Sequence, residues 1–407
     1  MQVWRRGDNS MVSAQMIFRL PPRGLLIRDF VIAAVSILLE DRNVKSIRNE
    51  GDKLVIEAPL GSESYLLHQI FQVSQRIAEV KLKEEGLSSP RIVGNDANVV
   101  KKFQEETKQR IAKEATLLSF ASQVLEWASR ECRTSTSTFL TSYGFIQEKP
   151  STLILGGDGY AALQLFKVEK YEYGKDFLKD YKSVKMQIKH DVYWLALLMA
   201  GLSLTYSGRV ENELIFITTP EDFAFYEKEF KTTTHLFFSL PKKLLYGEKR
   251  GASFIASRIG SLDPLFAFLQ LLSYALVREW YKDFDFKLLS QAPIQLCRVR
   301  PGQTYTLVER NIADLSPLVH FAHKLLMRGG DLTLRKIETL LRRSYYSLDY
   351  SDYYSISMKL YQAISGSYNV YNLIYELGRL LAPRTGKKVS KVFNEEDMRM
   401  IIDALTT

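Results

Sequence analysis

The sequence predicts an α+β fold: mixed α/β N-terminal and central regions with a helical-bundle C-terminal domain. Three observations predict it. Residues 14–85 switch repeatedly between the two-residue period of strands and the helical period of about 3.6 residues, and residues 143–302 do so again. Beyond about residue 303 the strand signals stop, and apolar residues recur only at helical spacing. A chain of 407 residues accommodates two or three domains, and the pattern divides it into an N-terminal region over 1–135, a central region over 143–302 and a C-terminal bundle over 303–407.

In order along the chain, AQMIFRL (14–20) is strand-like and GLLIRDFVIAAVSILLED (24–41) has the recurrence of an amphipathic helix. NVKSIRNEGDKLVIEAPL (43–60) reads as two short strands around an Asn-Glu-Gly-Asp turn, and SESYLLHQIFQVSQRIAEVKL (62–82) is helical again. This β-α-β-β-α order packs two helices on one face of a small sheet. Turn residues from Pro90 to Asp96 interrupt it. A long helix or helix pair follows over 98–131, with Ile111, Leu117, Leu118, Phe120, Val124, Leu125 and Trp127 on its apolar side. RECRTSTSTFLTS (130–142) reads as a linker or exposed loop, because Ser and Thr compete for backbone hydrogen bonds.

The central region predicts strands near 143–147, 151–156 and 160–168, a helix over 182–206 and a strand in ELIFITT (213–219). A helix begun by Pro220, Glu221 and Asp222 comes next, then a strand in HLFFSL (235–240) and the basic loop Pro241–Gly251. A helical stretch runs to Lys282 with Ser-Leu-Asp-Pro (261–264) as its break, before extended segments near 286–300. C-terminal helices are predicted over Leu315–Met327, Leu332–Leu341, Ile356–Ile364 and Val370–Leu381.

Apolar residues at 46% and charged residues at 25% are ordinary for globular chains and exclude collagenous, mucin-like or wholly disordered classes. The net charge of +9 points to a polyanionic partner, although a basic chain also gains solubility from it. Two cysteines, Cys132 and Cys297, provide neither a disulfide framework nor a four-thiolate metal site, which fits a reducing, cytoplasmic compartment. Arg5, Arg6, Arg19, Arg23 and Arg28 break any secretory signal core. The longest uncharged run, VYWLALLMAGLSLTYSG (192–208), falls short of the roughly 20 apolar residues of a membrane span and reads as a buried core helix.

Signatures of catalysis are sparse. LILGGDGYAAL (153–163) has a glycine cluster, but it matches no phosphate-binding pattern, and Asp158-Gly159 between apolar runs reads as a tight hairpin. His190-Asp191 is the pair a metal-dependent HD phosphohydrolase would use. None of His68, His235, His320 and His323 sits beside an Asp, so the pair reads as the polar start of a helix. His320 and His323 share a helix face without a matching Glu or Cys, which favours a structural or surface role. Glu79-Val-Lys81 and Glu229-Phe-Lys231 match the Glu-x-Lys of restriction-type nucleases, in helical surroundings where the match arises by chance. The expectation is a protein that is not an enzyme and holds no metal or cofactor.

Basic clusters are the stronger signal. Lys242, Lys243, Lys249 and Arg250 lie in a loop bounded by Pro and Gly, where long cationic side chains can follow phosphates. On the helix from Asp331, Arg335, Lys336, Arg342 and Arg343 lie largely off the apolar face of Leu334, Ile337 and Leu341. Arg384, Lys387, Lys388 and Lys391 form a third cluster around Gly386. Of the nine tyrosines between Tyr345 and Tyr375, Tyr361, Tyr368, Tyr371 and Tyr375 fall on one helix stripe. Such a stripe favours core or subunit-interface packing over stacking on bases.

DVYWLALLMAGLSLTYSGRVENELIFITTPED (191–222), an apolar helix turning into an aromatic strand, resembles the large subunit of archaeal type I-A CRISPR effector complexes of the Cascade type. So does the helical tail with SGSYNVYNLIYELGRLLA (365–382). The resemblance is one of layout over about the second half of the chain. It implies a non-catalytic, nucleic-acid-binding subunit of an RNA-guided surveillance complex in antiviral defence. Its partners would be crRNA near the 5′ end, target-flanking DNA, the other effector subunits, and the helicase and nuclease that cut, with no membrane. Two rivals stand beside it: a metal-dependent nuclease using Glu229, Lys231 and Asp222, and a purely protein-binding scaffold.

Overall fold

The structure, a computed structural model, describes residues 13–83, 89–92, 94–112, 114–149, 152–171, 187–210, 213–218, 220–221, 293–302, 305–314, 316–346, 350–380 and 393–406. Its class is α+β, as the sequence predicts, with helices and three small sheets among the described residues. Contacts divide the chain into two units, Met1–Ser253 with Cys297–Arg310, and Phe254–Leu296 with Asn311–Thr407.

The first unit opens with β1 (Ser13–Arg19), α1 (Leu26–Ser36), β2 (Ser46–Asn49), β3 (Lys53–Pro59) and α2 (Glu63–Lys83), in the predicted β-α-β-β-α order. The sheet runs β1-β3-β2 and is antiparallel, with Ile17 opposite Val55 and Ile47 opposite Ile56. Strand alternation turns Met16 and Phe18 into the core.

The predicted helix over 98–131 is a pair, α3 (Asn95–Thr107) and α4 (Leu117–Glu131). α3 ends where Lys108 adopts left-handed backbone, at φ 58°. α4 starts with a reciprocal cap, in which the Ser119 amide donates to the Thr116 hydroxyl at 3.3 Å and the Thr116 amide to the Ser119 hydroxyl at 2.8 Å. The Ser/Thr-rich stretch expected to be a linker is instead largely helical, as α5 (Thr136–Tyr143). Phe139 and Tyr143 are fully buried, and burial of two aromatics outweighs the small propensity cost of the Ser and Thr around them. Thr136 and Thr141 donate to the carbonyls of Cys132 and Ser137, at 2.6 and 2.8 Å.

A second sheet holds β4 (Ile146–Lys149), β5 (Thr152–Leu155), β6 (Tyr160–Ala161) and β7 (Gln187–His190) in the order β4-β5-β7-β6. The hairpin expected at Asp158-Gly159 does not form: β7 lies between β5 and β6, parallel to the first and antiparallel to the second. The predicted strand over 160–168 shortens accordingly to two residues and gives way to a 3-10 turn over Gln164–Tyr171. After β7 comes α6 (Val192–Thr205), buried at every position except Tyr193 and packed against α1, α2, α4 and α5. It is the core helix the sequence predicts, but it does not start at 182: residues 187–190 are the strand β7, and the helix begins only after the Asp191 cap. α1 and α6 meet backbone to side at Gly201, where a methyl group would overlap the main-chain carbonyl of Phe30. No described helix is long and apolar enough to cross a membrane.

The third sheet has the order β11-β10-β9-β8, built from β8 (Tyr206–Val210), β9 (Glu213–Thr218), β10 (Pro293–Arg300) and β11 (Thr306–Asp314). Strand structure therefore extends past residue 303, contrary to the sequence reading. β11 is an edge strand with polar residues, a pattern that periodicity misses, and Glu309 and Arg310 bond Arg298 and Asp29, each at 2.9 Å. The chain passes between the two units within β10 and within β11.

The second unit contains α7 (Ser316–Met327), α8 (Asp331–Tyr346), α9 (Tyr350–Ile364), α10 (Val370–Leu380) and α11 (Glu395–Thr406). α8 packs on α9, α9 on α10, and α11 on α7 and α10. Leu325, Leu334, Ile337, Ile356, Leu360, Leu373, Leu377 and Ile401 are buried between them, which is the predicted helical-bundle pattern. The strand predicted over 235–240, the helical stretch to Lys282 and all but the first residues of the helix begun by Pro220 lie outside the described residues.

Candidate nucleic-acid interface

The ten predicted contact residues divide unevenly. Lys242, Lys243, Lys249, Arg250, Lys387 and Lys388 lie outside the described residues, and of Arg342 and Arg343 only their place in α8 is described. Arg335 is exposed on α8. Lys336 is not a free cation. It pairs with the buried carboxylate of Asp397, which also accepts from the Thr333 hydroxyl at 2.9 Å and from the Asn394 amide at 2.6 Å. Asn394 returns the bond by accepting from the Asp397 amide at 2.8 Å, so this carboxylate caps α11 and ties it to α8. Spacing alone put Lys336 off the apolar face; the acid that claims it comes from a helix some 60 residues later, beyond the reach of periodicity.

The tyrosine stripe also divides. Tyr361 and Tyr368 are half-buried, and the Tyr368 hydroxyl donates to Glu376 at 2.9 Å. Tyr371 and Tyr375 are each 70% exposed, so packing inside the unit does not account for them. The buried seam of α10 is formed by Leu373 and Leu377, which lie on its other side.

Groups that other chemistries would draw on have structural work. Lys81, the lysine of one Glu-x-Lys match, is buried and donates to the carbonyls of Ser203, at 2.7 Å, Leu204, at 3.0 Å, and Tyr206, closing the C-terminus of α6. Its companion Glu79 accepts from Gln75 one turn back on α2, at 2.8 Å. The other match, Glu229 with Lys231, lies outside the described residues. His320 is exposed and His323 half-buried on α7, where burial and the neighbouring His320 push the His323 pKa down. Among the described residues, no three His, Cys, Asp or Glu side chains gather as a metal site. Cys132 is a buried free thiol, pushed up to about 11 by burial.

His190 and Asp191 sit under the glycine turn. Asp191 caps α6 by accepting from the Trp194 amide at 2.9 Å and from the Ser142 hydroxyl at 2.7 Å, as the reading of a polar helix start anticipates. Gly156, at φ +70°, lets the turn lie directly on these groups, since a methyl there would overlap the Asp191 carboxylate and the Ser142 hydroxyl. Burial raises the Asp191 carboxyl. His190 is fully buried, its ring stacked on Tyr160 at 5.6 Å between centroids, with Nδ1 2.9 Å from the Asp191 carbonyl. Burial pushes its pKa down to about 4.

Above pH 6.5, the ordinary value for histidine, His190 is neutral folded or unfolded and contributes no pH dependence. Between there and about 4 only the unfolded chain takes the proton, so stability falls with pH, by roughly 3 kcal/mol in all. Urea midpoints for wild type and His190→Phe, compared across that window, should diverge, with the variant less acid-sensitive. Parallel profiles would refute the assignment.

Acids elsewhere in the described core are similarly engaged. Burial works to raise the Glu213 carboxyl, but Arg300 and Arg298, at 2.7 and 2.8 Å, outweigh it and hold it below its usual range. Glu221 behaves the same way against buried Arg28, which it meets at 2.6 Å through Nε. Comparison with protein-family models, with curated proteins and with solved structures found no match to this chain.

Proposed function

We propose that this chain is a non-catalytic, nucleic-acid-binding large subunit of a type I-A CRISPR surveillance complex, acting in the cytoplasm. The partners are those the sequence resemblance implies: crRNA, target-flanking DNA, the other effector subunits, and the helicase and nuclease. One observation carries the nucleic-acid part of the reading. Residues 241–251 carry a net charge of +3 and residues 379–391 of +5, so two short runs hold eight of the nine surplus charges of the chain. Meanwhile carboxylates such as Asp397, Glu213, Glu221 and Glu376 are matched by cations of their own. A surplus concentrated in this way suits phosphate contact better than general solubility.

The engagement of Lys81 and Asp191 in helix capping, and the burial of His190 against Tyr160, support a binding role for the first unit over the chemistries their sequence context evokes. Binding of the purified full chain to labelled duplex DNA, titrated at several salt concentrations, tests the proposal. Affinity should fall steeply as salt rises, through counterion release. Replacing Lys242, Lys243, Lys249 and Arg250 by Ala should weaken binding and flatten the salt slope by as much as about four counterions. Binding that is absent at low salt would sink the reading. Magnesium- or manganese-dependent cleavage of DNA, lost on Glu229→Ala, would replace it with the nuclease.

A further inference from the structure

The second unit exposes an aromatic face that its own packing does not use. Tyr371 and Tyr375 lie one turn apart on α10, each 70% exposed. Such neighbours are about 6 Å apart along a helix. Gly378 continues the same face, and a methyl group built there would meet nothing within 4 Å. Around the pair, exposed residues among those whose side chains are described include the uncharged hydrogen-bonding types Ser365, Ser367, Asn369 and Asn372. Asn369 holds the start of the helix by accepting from the Tyr371 amide at 2.9 Å.

The acid on this helix, Glu376, is occupied by Lys359 and by the Tyr368 hydroxyl, so its charge does not stand against an anion. From Gly378 the sequence runs to Asn394 with five cations and no acid. An exposed aromatic pair continuous in sequence with a purely basic run is what a single strand needs. Bases stack on the rings, amides and hydroxyls meet base edges, and cations follow the phosphates. Exposed tyrosines serve protein and nucleic-acid interfaces alike, and it is the adjoining acid-free basic run that favours a polyanionic strand as the occupant.

We propose that Tyr371 and Tyr375 form a base-stacking platform for single-stranded nucleic acid. This deepens the nucleic-acid-binding reading above and rests on it. Duplex DNA, whose base faces are already stacked, should gain little from the pair, so the platform distinguishes a displaced or guide strand from a duplex.

The test uses the full chain and labelled oligothymidine of about 20 nucleotides, longer than the roughly 4 to 16 that one binding groove covers. Oligouridine, a fully abasic strand and a duplex of the same length are titrated alongside. The double variant Tyr371→Ala/Tyr375→Ala should bind oligothymidine, oligouridine or both about tenfold or more weakly, the strand affected identifying DNA or RNA. It should bind the abasic strand and the duplex as wild type does, with an unchanged salt slope. Tyr371→Phe/Tyr375→Phe should retain most of the affinity, because stacking needs the ring and not the hydroxyl. Both side chains are exposed, so neither variant should melt early.

Single-strand binding by the alanine variant within about twofold of wild type overturns the platform while leaving the broader reading intact. An equal loss on the abasic strand overturns it as well, since no base would be involved. Dissociation of a wild-type oligomer by the alanine variant, seen by light scattering without a change in strand affinity, assigns the face to copies of this chain instead. Failure of wild type to bind any of the four probes removes both the inference and the reading it rests on.

Discussion

Lys81→Met should lower the unfolding free energy of the first unit by about 3–5 kcal/mol, the range seen when a buried charged group is taken from partners that stay buried. Lys81 is 5% exposed, and its ammonium serves three carbonyls at the end of α6, a helix buried over nearly all of its length. Methionine fills the same space but donates nothing. The carbonyls of Ser203, Leu204 and Tyr206 would then lose this donor, and the negative end of the helix dipole its compensating charge. Arginine should rescue only part of the loss, because a planar fork does not reproduce three donors radiating from one nitrogen. Glu79→Ala, two residues away and half-buried on another side of α2, should change stability by less than about 1 kcal/mol. Urea denaturation followed by far-UV circular dichroism reads all three; a methionine variant as stable as wild type would show that the carbonyls find other partners.

Gly201→Val should cost about 4 kcal/mol or more. The obstacle is the backbone carbonyl of Phe30, so no side-chain rotation relieves it, and α1 must move away from α6. That movement opens the contact between α1 and α6, two helices buried at nearly every position. Gly378→Ala is the matched control. It too replaces a helical glycine, but into open space, and should raise stability of the second unit by about 0.5–1 kcal/mol. If both substitutions behave alike, helix propensity and not interhelical contact governs position 201.

Much of the fold was legible in the sequence because local periodicity reports which face of an element is buried. β1, α1 and α2 match AQMIFRL, GLLIRDFVIAAVSILLED and SESYLLHQIFQVSQRIAEVKL closely. α6 was readable as a core helix from apolarity on all sides, and Asp191 as its cap from the residue type preceding it. α5 was not readable, since its segment is rich in residues that disfavour helix and its support is the burial of two aromatics against distant partners. The interleaving of β7 between β5 and β6 escaped as well, because Asp-Gly between apolar runs has the same local chemistry whether the next strand turns back or crosses over.

At the candidate interface the sequence by itself determined where positive charge is concentrated, because charge along a chain needs no fold to be counted. It also determined that Tyr371 and Tyr375 share a helix stripe, because a 3.6-residue period follows from spacing alone. Which way that stripe faces was decided by tertiary structure: Leu373 and Leu377 bury more apolar area against their neighbours, and a helix has only one inward side. The fates of Lys336 and Lys81 were likewise decided there, by Asp397 from 61 residues away and by carbonyls more than 120 residues along the chain. An ion pair or a cap depends on distances of a few ångströms, and only the folded chain brings residues so far apart in sequence that close.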